Sequence, residues 1–365
     1  MKAILIVGEA YGENEDKIKA PFVGSSGVEL LRMLSEAGIV KWTDKHSSLM
    51  SMYWRTGKPG YVNEAWELCP QVQRTNVFML RPPGNKIEAL CGPRELGIRG
   101  YPPLGKSAYV RREFISELER LGEEISDLDP NLILCLGATA LWALSGNAQI
   151  GKYRGVTRLS TFTALDYKLL PTYHPANILR QWENRPIVLV DLMKARREAE
   201  FPEVRRPERE IWVEPSLGDI DDFDKKYIQR AKGLSVDIET NGELITCIGF
   251  APSASLALVV PFYDGRRKDK SYWPSVQAER GAWQLVRSIL ERGKPPKVFQ
   301  NGLYDISFLK RTMNINVAGA EHDTMLLHHA LQPESLKALG HLGSLYTDEG
   351  SWKAEHSFKT IKRDQ

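Results

Sequence analysis

Short apolar segments alternate with longer amphipathic ones through the first 200 residues of the chain. The apolar segments are about five residues long, which is typical of strands buried on both faces of a parallel sheet. The strand candidates are residues 3–7, 76–80, 132–136 and 168–172, and the helix candidates between them are 26–37, 109–125, 138–144 and 186–199. This alternation predicts an α/β domain over residues 1–200, with its parallel sheet covered by helices on both faces.

Residues 40–75 interrupt this rhythm and predict a partly ordered surface insertion whose tryptophans pack locally. A polar segment with two prolines, residues 201–210, is the predicted linker. After it the alternation resumes, with strands at 211–213, 234–238, 246–250, 256–260 and 297–300, and helices at 219–231, 283–292 and 305–311. Residues 211–365 are therefore predicted to form a second α/β domain.

Composition excludes several classes of protein. There is no run of ~18 apolar residues that could span a membrane, and the first residues lack a signal-peptide cleavage site. The four cysteines are widely spaced without a CxxC pair, which argues against a disulfide framework or a zinc ribbon. We therefore expect a cytoplasmic protein. The net charge of +3 neither requires nor opposes a nucleic-acid partner.

Three polar clusters follow the predicted strands of the first domain. The first is GEAYGENED at 8–16 with PFVGSSG at 21–27, the second is TNVFMLRPPGN at 75–85, and the third is YHPANILR at 173–180. Open α/β sheets bind ligands at the carboxyl ends of their strands, so the clusters are predicted to converge on one site. Each cluster alone is weak, because Phe22 could be ordinary core, Asn76 a turn cap and Glu9 a structural carboxylate.

In their order and spacing, the clusters resemble the uracil-DNA glycosylase superfamily, and most of all its family 4 branch. The resemblance covers roughly residues 1–200 without the insertion. It implies that Phe22 stacks on a flipped uracil, that Asn76 bonds the uracil amide edge and that His174 lies beside uracil O2. It also implies a catalytic role for Glu9 beside His174, further substrate contacts and phosphate contacts. The further substrate-binding residues would be Gly8, Gly12 and Arg180, and the phosphate-binding ones Gly24, Ser25 and Ser26.

The chemistry of these side chains agrees with such roles. An enzyme must extrude a base from the stack to reach it, and it reads the base by stacking and edge hydrogen bonds. The Asn76 amide offers both a donor and an acceptor, which suits uracil N3–H and O4. A His174 donor stabilises the charge that develops on the departing base, and the Glu9 carboxylate can orient water.

Two departures from the family pattern stand out. The family's GEAPG proline is Tyr11 here, which adds a bulky ring at the rim of the pocket. The family also holds an iron–sulfur cluster on four cysteines, whereas only Cys91 falls near such a position and Leu80 stands where another would be. One thiolate cannot hold a cluster, so we predict none. Side-chain packing would then have to stabilise this part of the domain in place of the cluster, and the insertion is a candidate for that role.

Paired carboxylates mark the second domain. Asp237 and Glu239 are two apart on a predicted strand and therefore share a face, which suits a hard divalent cation. With Asn301 and Asp305 downstream, residues 209–350 resemble the 3′–5′ exonuclease domain of family A DNA polymerases, especially those of bacteriophages. That domain has a ribonuclease H-like fold, and the resemblance implies Mg²⁺ or Mn²⁺ bound by Asp237, Glu239 and Asp305.

Other polar residues of the second domain have structural interpretations. Asp323 is predicted to cap the helix that follows it, and the adjacent His328 and His329 are predicted to point apart. The family's fourth acidic residue, from a YxxxD motif, has no counterpart after Tyr346. We therefore expect weak metal binding and little or no exonuclease activity from this incomplete domain.

The sequence thus predicts a DNA-processing enzyme that excises uracil from single-stranded or duplex DNA. Its arrangement resembles the N-terminal part of certain phage polymerases, so a polymerase chain or domain is the expected partner and a bacterial host cell the expected location. The alternative is a DNA-binding module with one or both sites inactive. A nucleotide-binding oxidoreductase is disfavoured, since no GxGxxG follows the first strand.

Overall fold

The computed structural model describes residues 4–161 and 166–349. Their contacts divide the chain into two compact units, which meet in sequence between Val204 and Arg205. Unit 1 contains the described residues up to 204 together with 340–349, and unit 2 contains residues 205–339. The predicted second domain runs to the C-terminus, whereas the structure assigns residues 340–349 to unit 1.

Unit 1 is built on a sheet in the order β2-β1-β5-β7-β6, in which all pairs are parallel except β6 with β7. Two further short strands, β3 and β4, form an antiparallel pair. The strands are β1 Ile4–Ala10, β2 Val72–Phe78, β3 Cys91–Gly92, β4 Tyr109–Val110, β5 Leu132–Leu136, β6 Arg158–Leu159 and β7 Lys168–Thr172. The helices are α1 Glu13–Ile18, α2 Ser25–Glu36, α3 Asp44–Thr56, α4 Gly60–Glu67, α5 Ile115–Leu128, α6 Ala138–Ser145, α7 Ile150–Tyr153, α8 Pro175–Ile178 and α9 Arg185–Glu198.

Alternate residues of β1 enter two hydrophobic cores, one on each face of the sheet. Ile4 and Ile6 pack with α2, α3, α4 and α9, while Leu5 and Val7 pack with α5 and α6. Successive strand side chains point to opposite faces, so a strand covered by helices on both sides must be apolar throughout. The predicted α/β class is confirmed.

Three predictions about the elements of unit 1 were wrong. The predicted helix at 109–125 is instead strand β4, a short 3₁₀ turn and helix α5, which begins only at Ile115. Strand β2 begins at Val72 and ends at Phe78, four residues before the predicted start and two before the predicted end. The insertion is an ordered helix pair, because Thr43 and His46 form a capping box and Gly57 ends α3 with a φ of 67°.

Unit 2 is a mixed α/β structure with a sheet in the order β13-β12-β9-β10-β11-β8. Strands β9, β10 and β11 are antiparallel, and the other pairs are parallel. The strands are β8 Glu210–Trp212, β9 Leu234–Asn241, β10 Leu244–Ser253, β11 Leu256–Pro261, β12 Lys297–Phe299 and β13 Ala320–Asp323. The helices are α10 Leu217–Lys226, α11 Val276–Glu291, α12 Gly302–Met313 and α13 Thr324–Leu331.

Helix α14, Leu339–Tyr346, is fixed to unit 1 by two buried basic side chains. Arg154 donates to Asp191 at 2.5 Å and to the Ser344 hydroxyl at 3.0 Å. Lys194 donates to the carbonyls of residues 155, 344 and 347 at 3.1, 2.5 and 2.5 Å. No helix within the described ranges is long and apolar enough to cross a membrane.

Candidate active site

Asn76 lies beside Gly8 in the parallel pair of β2 and β1. A Cβ atom on Gly8 would lie 2.3 Å from Asn76 Oδ1 and 2.5 Å from Phe22 Cζ, so only glycine lets both side chains approach this strand end. Asn76 is 2% exposed, and its side-chain amide has no hydrogen-bond partner among residues 4–161 and 166–349. The amide therefore presents both a donor and an acceptor to a ligand.

Arg120 of α5 fixes the backbone at Asn76. Its guanidinium donates to the carbonyl of Asn76 at 2.7 Å and to that of Val77 at 3.0 Å. Two carboxylates of the same helix, Glu117 and Glu124, form ion pairs with it at 3.2 and 2.7 Å. Arg120 is not marked in the sequence as a site residue, since no motif links α5 to β2.

Phe22 is held in an unusual backbone conformation, with a φ of 56°. Trp66 Nε1 of the insertion donates to the Phe22 carbonyl at 2.8 Å. The Glu15 carboxylate accepts the next two backbone N–H groups, from Val23 and Gly24, both at 3.1 Å. A Cβ on Gly27 would lie 1.8 Å from the Phe22 oxygen. These contacts fix the ring of Phe22. Neither Glu15 nor Trp66 was predicted from the sequence to support the site.

His174 caps α8, and its Nδ1 accepts the backbone N–H of Ala176 at 3.2 Å. Since Nδ1 acts as an acceptor, the proton of the neutral ring is on Nε2. Burial lowers the pKa of His174 to about 4, with the positive charge of Arg180 acting in the same direction. The ring centroid is 5.9 Å from that of Phe22, with 30° between the ring planes. His174 is therefore a neutral hydrogen-bond donor at pH 7.

Glu9 is half-buried at the end of β1, and its Oε2 accepts the Thr139 hydroxyl at 2.5 Å. Burial raises its pKa, while the hydrogen bond from Thr139 opposes that rise. Because Thr139 occupies one carboxylate oxygen, the other is available for a water molecule.

These residues line a pocket of about 190 Å³, which is smaller than the ~300–1,000 Å³ of drug-sized sites. Of the residues predicted for the site, the pocket brings together Glu9, Gly12, Phe22, Ser26, Asn76 and His174. Tyr11 also lines it, as do Glu15, Pro82 and Asn85, which the sequence analysis did not assign to the site.

Four predicted residues do not line this pocket. Gly8 lies against the pocket side chains of Asn76 and Phe22. The Gly24 N–H is already bonded to Glu15, and the Ser25 hydroxyl lies 3.3 Å from that of Tyr53. Arg180 is exposed. Phosphate contacts by Gly24, Ser25 and Ser26 stay predictions.

The carboxylates of unit 2 are not gathered into one group. Asp305 is 5% exposed, and its Oδ1 accepts the Ile238 N–H at 3.1 Å. Burial raises its pKa to about 6, and the charge of Asp237 adds to that rise. Asp237 and Glu239 are both exposed on β9. Over residues 4–161 and 166–349, no three His, Cys, Asp or Glu side chains lie close enough together to form a ready-made metal site, so Asp237, Glu239 and Asp305 are not arranged as the preformed divalent site that the resemblance implies.

The structural interpretations of neighbouring residues are confirmed. Asp323 caps α13 by accepting the N–H groups of Met325 and Leu326. His328 is buried and His329 is exposed, so the two rings point apart.

The cysteines are separate from one another. Cys69 and Cys135 are buried in unit 1, Cys91 is half-buried, and Cys247 is in unit 2. They do not fit an iron–sulfur cluster within the described ranges. The expected lack of a cluster stays a prediction.

The first unit is similar in sequence to a known protein family. Residues 2–199 match the family model described as the uracil DNA glycosylase superfamily. A type-4 uracil-DNA glycosylase of Thermotoga maritima is 30% identical over 201 residues, which cover 53% of this chain and 76% of the relative. One of Sulfurisphaera tokodaii is 28% identical over 54% of this chain and 71% of the relative.

Solved exonuclease domains share a more distant likeness. The EXO domain of Aedes aegypti Nibbler is 17% identical over 42% of this chain and 76% of its own, with a TM-score of 0.31. The EXD2 exonuclease domain soaked in Mg and dGMP is 18% identical over 43% of this chain and 79% of its own, with a TM-score of 0.26.

Proposed function

Because the chain belongs to the uracil-DNA glycosylase superfamily, we propose that it removes uracil from DNA by hydrolysing the N-glycosidic bond. The observation that carries this proposal is the convergence of three side chains on one small pocket. These are the unbonded amide of Asn76, the fixed ring of Phe22 and the neutral donor His174.

Recognition in this proposal depends on extruding the base from the stack. The energy of unpairing is recovered by stacking the base on Phe22 and by hydrogen bonds to its edge. The Asn76 amide donates to uracil O4 and accepts from N3–H. A site built to hydrogen-bond its substrate rejects a base with the reversed donor pattern, such as cytosine, because buried polar groups would then lose their partners.

Bond cleavage in this proposal is divided between two residues. His174 donates its Nε2–H to uracil O2 and stabilises the anionic base as the C1′–N1 bond breaks. Glu9 stabilises the cationic sugar and orients a water molecule, whose oxygen bonds to C1′. The water's proton passes to the Glu9 carboxylate and on to solvent, the departing uracil anion takes up a proton at N1 from solvent, and the products are free uracil and an abasic site. Ser26, Ser25 and Arg180 would contact the flanking phosphates.

The test is excision from a labelled single-stranded oligonucleotide with one uracil, with and without EDTA. We expect alkali-labile abasic sites in both arms, since no step of this proposal uses a metal. Asn76→Ala should lower kcat/KM by at least two orders of magnitude. The matched control is Gln73→Ala, which removes an exposed amide from the same strand. Tight binding of uracil DNA without product would favour the binding module.

Unit 2 carries a separate, weaker proposal. Its carboxylates Asp237, Glu239 and Asp305 are proposed to bind Mg²⁺ or Mn²⁺ weakly and to give little or no 3′–5′ degradation. The observation behind it is that Asp305 reaches the backbone of β9 between the other two residues, although the three do not form one metal-binding group. A labelled oligonucleotide with Mn²⁺ tests it by comparing the chain with Asp237→Ala. Strong laddering that disappears in the variant would contradict it. A polymerase partner stays a prediction.

A further inference from the structure

Positive charge is concentrated in one segment of unit 1. Residues 81–112 contain seven Lys or Arg residues and two Glu residues, a net charge of +5, whereas the whole chain has +3. The rest of the chain therefore has a net charge of −2. A basic cluster on an otherwise slightly acidic protein is the electrostatic footprint of a nucleic-acid contact.

Within this segment the structure forms a groove of about 700 Å³, separate from the uracil pocket. Three arginines line it: Arg94, Arg99 and Arg112. Over residues 4–161 and 166–349, the guanidinium groups of Arg94 and Arg99 have no hydrogen-bond or ion-pair partner. Arg112 donates to the carbonyl of Glu95 at 2.5 Å, and within the same described ranges no carboxylate pairs with its charge. The carboxylate of Glu95 is the one acidic group among the lining residues.

The walls of this groove are packed and aromatic. Tyr101 lies 5.1 Å from the ring of Trp142, and Trp142 Nε1 donates to the carbonyl of Pro102 at 2.8 Å. On the other side, a Cβ atom on Gly97 would lie 2.8 Å from Tyr109 Cβ, so backbone and ring are in close contact. The groove is therefore lined by packed tyrosines together with cationic arginine side chains.

We propose that this groove, lined by Arg94, Arg99, Arg112, Tyr101 and Tyr109, binds single-stranded DNA that flanks the uracil. Arginines compensate phosphate charge and release counterions. Aromatic rings beside a basic groove are the means by which proteins bind single strands without sequence preference. The affinity of the groove for single-stranded DNA is argued from the charges of the groove itself. Only the claim that the bound strand is the one that carries uracil rests on the proposed function.

The chain path limits the separation of the two sites. Pro82 and Asn85 line the uracil pocket, and Arg94 follows Asn85 by nine residues. An extended chain of that length spans at most ~32 Å, which corresponds to fewer than about ten nucleotides at 3.4 Å each. A single strand of about ten nucleotides is therefore long enough to reach from one site to the other.

The first test measures binding of a uracil-free single strand of about 30 nucleotides by fluorescence anisotropy across a salt series. The triple variant Arg94→Ala, Arg99→Ala, Arg112→Ala should bind at least about tenfold more weakly at low salt, and its log–log salt slope should be less steep by about 2. The triple Lys variant at the same positions should keep most of the slope. The control is Arg32→Ala, Lys41→Ala, Lys45→Ala, which removes equal charge from exposed residues on the other face of the sheet.

An equal loss of affinity for single-stranded DNA in the groove variant and in the control variant would overturn the proposal, since net charge alone would then explain binding. An RNA of the same sequence that binds more tightly, and loses this affinity in the groove variant, would assign the groove to RNA and also overturn it. These measurements need no excision, so they stand if the proposed function fails.

The second test uses excision itself. The groove variant should raise KM for the long uracil oligonucleotide while kcat stays unchanged, and KM for a uracil oligonucleotide of about six nucleotides should stay as in the parent. A fall in kcat on both substrates would place the arginines in the uracil site and contradict a separate groove.

Discussion

Replacing Trp66 with Phe removes one N–H group from the contacts that hold the Phe22 loop. The indole donates to the Phe22 carbonyl at 2.8 Å, and Trp66 is 3% exposed. Phe keeps an aromatic ring there but leaves the carbonyl without this donor. An unsatisfied buried acceptor costs about 1–3 kcal/mol. If the Phe22 loop shifts in response, and its productive conformation becomes less favourable by about 1–2 kcal/mol, kcat/KM for uracil excision falls about 5- to 30-fold.

The assay is single-turnover and steady-state excision, with thermal unfolding recorded for each variant. Trp54→Phe is the control, because Trp54 belongs to the same insertion and is 56% exposed. In a Phe22→Ala background, Trp66→Phe should lower kcat/KM little further, since the ring that Trp66 positions is already removed. Unchanged kcat/KM in Trp66→Phe, or a full additive loss in the double variant, would refute the view that Trp66 acts through Phe22.

Three further predictions follow from charge and burial. As pH falls from 8, kcat/KM for uracil excision should first stay level and then decline as Glu9 becomes protonated, at its raised pKa above 4.5. The Glu9→Gln variant should not show this decline at low pH. An excision rate that rises toward pH 4 would contradict a neutral His174. The pKa of Asp305 is raised from 3.8 to about 6, so folding favours its protonated form, and the contribution of Asp305 to the free energy of unfolding should rise as pH falls from above 6 toward 4. Asp305→Asn should remove this trend and raise the free energy of unfolding at pH 8 by up to ~3 kcal/mol, measured by urea unfolding at several pH values. Lys194→Met should lower the free energy of unfolding by roughly 2–4 kcal/mol, because three carbonyls lose a buried donor; a thermal scan that matches the parent would contradict the role of α14 in unit 1.

The convergence of the pocket was predictable because parallel strands end at the same edge of a sheet. Gly8 on β1, Asn76 on β2 and His174 after β7 are each marked by a polar cluster after an apolar run. The shared carboxyl edge of the sheet then brings the clusters to one side of the domain, without any knowledge of side-chain contacts.

The supports of the pocket were not predictable in the same way. The contact of Arg120 with Asn76 spans 44 residues, as does that of Trp66 with Phe22, and neither is encoded in a local pattern. The insertion did carry a usable signal. Leu49, Met50 and Tyr53 have helical spacing, and Gly57 follows the helix as a C-cap. Glu15 lay inside a motif that was recognised, but its role depends on how the loop folds back.

Direct measurement of free uracil under single-turnover conditions tests the excision proposal. With excess protein, a single-stranded oligonucleotide containing one uracil and EDTA present, one equivalent of uracil should appear together with one equivalent of abasic DNA. His174→Ala should slow this release by roughly two to four orders of magnitude, while its affinity for the oligonucleotide changes little. Binding of the oligonucleotide by the parent chain with no release of uracil would contradict the proposal and leave a binding module.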